Sequence, residues 1–111
     1  MAFEANVRRN GITIVDLDGE VDGAADEALN AAYEDAISTN PANVLLNFAN
    51  VSYINSTGIA LIVGLLAEAR RSERKITACG LSDHYKEIFE ITRIADFVTV
   101  YDDEAAATNP Q

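Results

Sequence analysis

Residues 51–61 read Val-Ser-Tyr-Ile-Asn-Ser-Thr-Gly-Ile-Ala-Leu and join two strongly apolar segments. The segment before them, residues 44–48, predicts a buried strand, and the segment after them, residues 59–67, predicts an apolar helix. Ser56 and Thr57 then fall at or near the N-cap of that helix, where hydroxyl oxygens accept backbone N–H groups. The same helix end favours a phosphate, because free N–H groups and the helix dipole attract negative charge. The stretch therefore predicts either a simple helix cap or a modifiable hydroxyl.

The rest of the chain alternates predicted strands with predicted helices. Asn10-Gly11 is typical of a two-residue hairpin, and Pro41 ends the first helical pattern. Ser82 is predicted to cap the third helix, and a short final helix is predicted from Asp102. Strands are predicted over residues 3–9, 12–19, 43–48, 76–79 and 97–101. A hairpin followed by alternating helices and strands predicts an α/β domain with a mixed sheet and crossover helices.

Size and composition fit one small domain. The chain has 111 residues, of which 49% are hydrophobic, enough for a packed core. The longest apolar run, around residues 59–67, is too short to span a bilayer, and the N-terminus lacks a signal-peptide pattern. Cys79 is the only cysteine, which excludes an internal disulfide and predicts a buried, inert thiol. Together these features favour a cytoplasmic protein. His84 is the only histidine, so a metal site lacks the ligand set it needs.

The charge of the chain is strongly negative and unevenly distributed. The formal net charge is −10, and no Lys or Arg occurs between Arg9 and Arg70. This pattern argues against nucleic acid and against an anionic membrane surface as partners, since both need Lys and Arg. Two readings remain open: the acidity attracts a basic protein partner, or it only maintains solubility. The basic residues that end the apolar helix are too few for a nucleic-acid patch: Arg70, Arg71, Arg74 and Lys75.

Three segments resemble one protein family. Asn55-Ser56-Thr57-Gly58 looks like the Asp-Ser-Ser/Thr-Gly phosphorylation motif of STAS domains, in particular of bacterial anti-sigma factor antagonists. Gly19-Glu20-Val21-Asp22 is similar to the family's Gly-Glu-Leu-Asp turn after the second strand. Residues 88–97 resemble its closing helix and the lead into the last strand. The resemblance covers roughly residues 3–105. It implies a single STAS-like domain over residues 1–111, an α/β fold with a short mixed sheet of about four to five strands packed with three to four helices, and a frayed tail over residues 106–111.

The resemblance also implies a function. A protein of this kind binds a cognate anti-sigma factor that is also a serine kinase, and thereby frees a sigma factor. ATP is bound by the kinase, a PP2C-type phosphatase resets the cycle, and the domain itself needs no cofactor and catalyses nothing. Phosphorylation maps onto Ser56, with Thr57 as the alternative, and releases the partner. The partner surface is expected to comprise Asp22, Asn55, Ser56, Thr57, Gly58, Ile59 and Ile62.

Alternatives remain for several of these residues. Asp22 is either part of the partner surface or an aspartate that caps the following turn. Gly58 is expected to allow close backbone approach. Ile59 and Ile62 lie in an apolar helix that is mostly core, with one of the two expected to be partly exposed. Asn55 replaces the family's Asp, which loses a charge and puts phosphorylation of Ser56 in question.

There are two alternative functions. The first is an accessory STAS subunit of a stress-signalling scaffold or a lipid-transport ABC complex, which would need no phosphorylation. The second is a hydrolase with Ser56 as its nucleophile. The chain lacks the Gly-x-Ser-x-Gly elbow, and nothing in the sequence places His84 near Ser56, so the hydrolase is disfavoured.

Overall fold

The computed structural model of this protein describes residues 3–108. Within that range the strands are β1 (Glu4–Arg9), β2 (Thr13–Val21), β3 (Asn43–Ile54), β4 (Lys75–Cys79) and β5 (Thr99–Tyr101). The helices are α1 (Asp26–Ile37), α2 (Ser56–Arg71), α3 (Asp83–Ile91) and α4 (Glu104–Thr108), with 3-10 turns at Gly23–Ala25 and Ile94–Asp96. This confirms the predicted α/β architecture with a mixed sheet of five strands and four helices.

The sheet has the strand order β1-β2-β3-β4-β5. β1 pairs antiparallel with β2, and every later pair is parallel. Each parallel crossover therefore steps one strand in the same direction, and right-handed connections place α1, α2 and α3 on the same face. Their buried side chains form the main core with Val15, Leu46 and Phe48. A second cluster on the opposite face joins Ile14, Leu45 and Cys79, and Ala107 of α4 packs against it.

Several element boundaries differ from the sequence prediction. The hairpin loop has three residues rather than two, because Arg9 pairs with Thr13. β3 continues to Ile54 instead of ending at residue 48, although β4 pairs only with its first half. β5 begins at Thr99 rather than at residue 97. The chain reverses after α3 through Arg93, which has a left-handed φ of 67°, and the 3-10 turn that follows delays the strand.

The last described residues form a helix where fraying was expected. Residues 106–108, expected to fray, belong to α4, while residues 109–111 lie outside the described residues. Arg8 of β1 pairs with Asp16 of β2 and also donates to Glu104 of α4 at 2.6 Å. The guanidinium holds the pKa of Asp16 below its usual value, and Asn47 of β3 donates to the same carboxylate at 2.9 Å. This network attaches α4 to three strands of the sheet.

Gly58 packs against the backbone of β2 at the start of α2. A Cβ atom at this position would lie 2.0 Å from the carbonyl oxygen of Val21 and 2.7 Å from its carbonyl carbon. Real Cβ atoms do not approach backbone so closely, so only glycine fits without displacement of the helix or the strand. The predicted close approach at Gly58 is confirmed.

Gly58→Ala is expected to lower the free energy of unfolding by about 1–3 kcal/mol or more, because α2 must move away from β2. Gly64→Ala is the matched control in the same helix, since a Cβ there meets no atom within 4 Å. Gly64→Ala should raise stability by roughly 0.5–1 kcal/mol through helix propensity. Urea denaturation of both variants measures the two effects, and equal stability of Gly58→Ala and the parent would contradict the packing argument.

Candidate functional site

Two parallel strands end side by side at one edge of the sheet. Val21, the last residue of β2, is in register with Ile54, the last residue of β3. Asp22 and Asn55 follow them directly, so two predicted site residues from distant parts of the chain lie together at this edge. The predicted turn over residues 19–22 begins later than expected, because residues 19–21 still belong to β2.

Each of these two polar residues caps a helix. The side-chain oxygen of Asn55 accepts from the Gly58 N–H at 2.8 Å, and its carbonyl accepts from the Ile59 N–H at 2.9 Å. Asn55 is therefore the N-cap of α2. Ser56 and Thr57 lie next to the cap as predicted, but the alternative in which one of them is itself the capping residue is wrong. The Asp22 carboxylate accepts from the Ala24 N–H at 2.9 Å and caps the 3-10 turn, as the turn interpretation expected.

Ser56 and Thr57 occupy the first two positions of α2, and both are exposed. Since the cap is Asn55, neither hydroxyl is needed for capping. Within residues 3–108, neither hydroxyl takes part in a side-chain hydrogen bond. The Thr57 methyl group lies against the turn at Gly23, where a Cβ would be 3.5 Å away. The Ser56 hydroxyl is thus accessible at the start of a helix and has no hydrogen-bond partner among the described residues.

The electrostatics around Ser56 combine a favourable helix end with an acidic surrounding. The backbone N–H groups of Ser56 and Thr57 have no intrahelical acceptor, and the dipole of a 16-residue helix adds partial positive charge. The first basic residue of α2 is Arg70, about 21 Å further along at roughly 1.5 Å of rise per residue. Asp22 lies at the adjacent strand end. An anion on Ser56 therefore finds backbone donors in its own helix, while the cations of that helix lie at its far end.

The residues of α2 that were expected to contact the partner differ in how far they are buried. Ile62 is 1% exposed, so its side chain offers a partner no surface, and the prediction for it is wrong. Gly58 is also buried, and its role is the close contact with β2. Ile59 is half-buried and packs against the main core. The large apolar side chain of this helix that is exposed is instead Val63, at 44%.

Two residues near the site were missed by sequence reasoning. Tyr53 is 49% exposed just before the cap, because it alternates with the inward-facing Ile54. The Tyr85 hydroxyl of α3 accepts from the buried Ile54 N–H at 2.9 Å and holds the end of β3. The alternation of side chains along a strand would have predicted that Tyr53 is exposed, if the sequence had indicated that β3 extends to Ile54. No spacing pattern predicts the contact of Tyr85, which depends on how α3 packs.

The remaining candidate residues, Cys79 and His84, lie in surroundings that fit structural roles. Cys79 is fully buried, and burial raises the pKa of its thiol to about 11, as expected for an inert cysteine. His84 is exposed, with its ring against that of Tyr85. Over residues 3–108, no group of three His, Cys, Asp or Glu side chains is placed to hold a metal ion. In the same range, the helices are too short or too polar to cross a membrane.

Curated relatives match part of this chain. The anti-sigma-B factor antagonist of Staphylococcus aureus strain NCTC 8325 is 36% identical over 58 residues, which cover 52% of this chain and 54% of the relative. The corresponding protein of Staphylococcus epidermidis matches with the same identity and coverage. The chain thus spans about half the length of the curated relatives it matches.

Solved structures show the same fold over nearly the whole chain. An anti-sigma factor antagonist from Mycobacterium paratuberculosis superimposes with a TM-score of 0.82 at 17% identity, covering 96% of this chain and 92% of that one. The unphosphorylated form of the anti-sigma factor antagonist SpoIIAA gives 0.71 at 20% identity, covering 96% and 94%. The phosphorylated form of SpoIIAA from Bacillus gives 0.68 at 21% identity, covering 96% and 97%. The model of one family, described as the STAS domain, matches residues 5–107, and this protein belongs to that family.

Proposed function

We propose that this protein is an anti-sigma factor antagonist whose binding surface surrounds the start of α2 and is switched by phosphorylation of Ser56. The observation that carries the proposal is the exposed Ser56 hydroxyl, which is unpaired within residues 3–108 and lies one residue after a complete N-cap. A hydroxyl in that position is open to a kinase, and its modification leaves the cap intact.

The comparisons with known proteins support the role of anti-sigma factor antagonist. The curated relatives in Staphylococcus are named anti-sigma-B factor antagonists. The antagonist SpoIIAA, which shares this fold, is described in an unphosphorylated and a phosphorylated form. For this chain, the corresponding partner is an anti-sigma factor with serine kinase activity that binds the ATP, with a PP2C-type phosphatase to reverse the modification. The domain acts as a regulator in the cytoplasm, without catalysis of its own.

A phosphate on Ser56 acts by opposing the partner and not by unfolding the domain. It adds a charge of about −1.5 to −2, which the free N–H groups and dipole of α2 stabilise. Because no Lys or Arg occurs between Arg9 and Arg70, the phosphate has no nearby cation along the chain. A partner that covers this helix end must bury the phosphate, at a cost of several kcal/mol unless it supplies cations. The unmodified protein therefore binds and the phosphorylated protein is released.

The partner surface proposed here differs from the one expected from the sequence. Asp22, Asn55, Ser56 and Thr57 remain at the end of the two strands, and Ile59 borders them. Val63 and Tyr53 supply exposed apolar surface, and the buried Ile62 supplies none. The acidic strand ends around Asp22 favour a partner with a basic rim, which also increases its association rate.

Asn55 has a specific consequence for the switch. Asn and Asp are about equally good N-caps, so the replacement keeps the start of α2 in place. What it removes is a carboxylate next to Ser56 in the kinase complex. This favours slower phosphorylation with normal binding. The presence of Asn55 in place of Asp also favours the second candidate function, an accessory STAS subunit that binds its partner without a switch.

Ser56→Asp is expected to weaken binding to the kinase-type anti-sigma partner by at least about a hundredfold, because a charge is buried without a cation. Ser56→Ala should bind as tightly as the parent. Ser72→Asp is the matched control, since it adds the same charge at the opposite end of α2. Isothermal titration calorimetry with the purified partner measures all three. Equal affinities of Ser56→Asp and Ser56→Ala would contradict the proposal.

Asn55→Asp is expected to increase the rate of phosphate incorporation at Ser56 while leaving the free energy of unfolding within about 0.5 kcal/mol of the parent. Asn55→Ala should lose the cap, at a cost of about 1 kcal/mol. Mass spectrometry of timed kinase reactions and urea denaturation give the two quantities. If the parent and Asn55→Asp both bind the partner but neither is phosphorylated, the switch is refuted and the accessory-subunit function is favoured.

A further inference from the structure

A half-open groove of about 860 Å³ lies at the end of α2 that is remote from Ser56. It runs between the C-terminal half of α2 and the 3-10 turn Ile94–Asp96. Its floor consists of core side chains that are at most 9% exposed: Leu66, Ala69, Ile76 and Ile94. Its volume falls within the range of small-molecule sites, roughly 300–1,000 Å³.

The walls of the groove are apolar and open to solvent. Phe97 is 59% exposed and Val63 is 44% exposed, and both line the groove. Phe97 is exposed because the left-handed turn at Arg93 places it on the 3-10 turn and not in β5. Two large apolar side chains facing one concavity form a surface that a ligand with an apolar body would cover.

The rim of the groove is cationic on a strongly acidic chain. The net charge is −10, yet four of the eight Lys and Arg residues line this groove, together with Glu73 and Asp96. Two of the four have partners: Arg74 donates to the Pro41 carbonyl and to Asn40, and Arg93 pairs with Asp96. Arg70 and Lys75 form no ion pair with a carboxylate of residues 3–108.

Arg70 is also placed over an aromatic face. Its guanidinium carbon lies 5.3 Å from the centroid of the Phe97 ring. The cation–π contact occupies the face of the guanidinium and leaves its N–H edges free to donate. A carboxylate at the rim can therefore pair with the Arg70 edge while an alkyl chain attached to it enters the groove along Phe97.

We propose that this groove binds an amphiphilic carboxylate, a free long-chain fatty-acid anion. Its chain covers the apolar floor and Phe97, and its carboxylate pairs with Arg70 and Lys75. The polarity of the groove is complementary to this ligand class, because the apolar interior contacts the alkyl chain while Arg70 and Lys75 pair with the carboxylate. The groove shares only Val63 with the proposed partner surface, its cationic rim lies at the opposite end of α2 from Ser56, and the inference does not depend on phosphorylation of Ser56.

The test is titration of the purified protein with laurate below its micellar concentration, followed by calorimetry and by amide NMR shifts. We expect one laurate per chain, with shifts concentrated in residues 63–76 and 92–97. Dodecyltrimethylammonium has the same chain length with a positive head group, and butyrate has the carboxylate without the chain. Both should bind at least about tenfold more weakly, because each lacks one half of the complementary surface.

Matched variants locate the site. Arg70→Ala should weaken laurate binding about tenfold, the usual loss for one charge-assisted contact, whereas Arg71→Ala changes the adjacent arginine outside the groove and should have no effect. Phe97→Ser should weaken binding, and Ile91→Ser, which alters a 72% exposed apolar residue outside the groove, should not. Lys75→Ala provides a second test of the rim if Arg70→Ala does not fold.

Several outcomes would overturn the proposal. These are no laurate binding below the micellar concentration, equal binding of the cationic amphiphile, or equal losses in Arg70→Ala and Arg71→Ala. A further experiment tests binding of the protein to vesicles of phosphatidylglycerol. Co-sedimentation with these vesicles in the absence of laurate binding would assign the cations to a membrane surface and refute a free fatty acid as the ligand.

Discussion

The contact between Gly58 and the carbonyl of Val21 is the constraint on which the site depends. No side chain fits between these backbones, so α2 starts directly on the end of β2. The Asn55 N–H donates to the same carbonyl at 3.2 Å and joins the two strand ends. With Gly58 facing the sheet, the turns of the helix place Ile62 inside and Val63 outside. Ser56, two residues before Gly58, is left exposed.

The cap of α2 does not involve the two hydroxyl residues that follow it. Asn55 satisfies the Gly58 N–H, which leaves the hydroxyls of Ser56 and Thr57 free of any capping role. Modification of Ser56 can therefore change the charge at the helix start without removing a hydrogen bond on which the fold relies. A site that adds and loses a phosphate repeatedly benefits from this separation between the capping residue and the modified residue.

Sequence reasoning succeeded where local patterns suffice and failed where a neighbouring element decides. Ser82 caps α3 as predicted, because capping depends on residues close in the chain. The length of β3 was underestimated, since its second half pairs only with β2 and carries the exposed residues 49, 50, 52 and 53. Phe97 resembled a strand residue, but the turn at Arg93 leaves it exposed. Ile62 and Val63 are both apolar, and composition alone cannot tell which of them faces the core.

Local patterns in the amino-acid sequence predicted the order of the elements, the cationic end of α2 and the candidate hydroxyl at Ser56, and three short segments resembled those of the family. These follow from apolar periodicity, the spacing of short motifs and the positions of charges, all of which are local properties of the chain. Tertiary packing determines which face of α2 is exposed and brings Arg70 against Phe97 at the edge of a groove. Those features depend on contacts between segments far apart in the chain, and the close packing of Gly58 on Val21 sets the rotation of α2 that produces them.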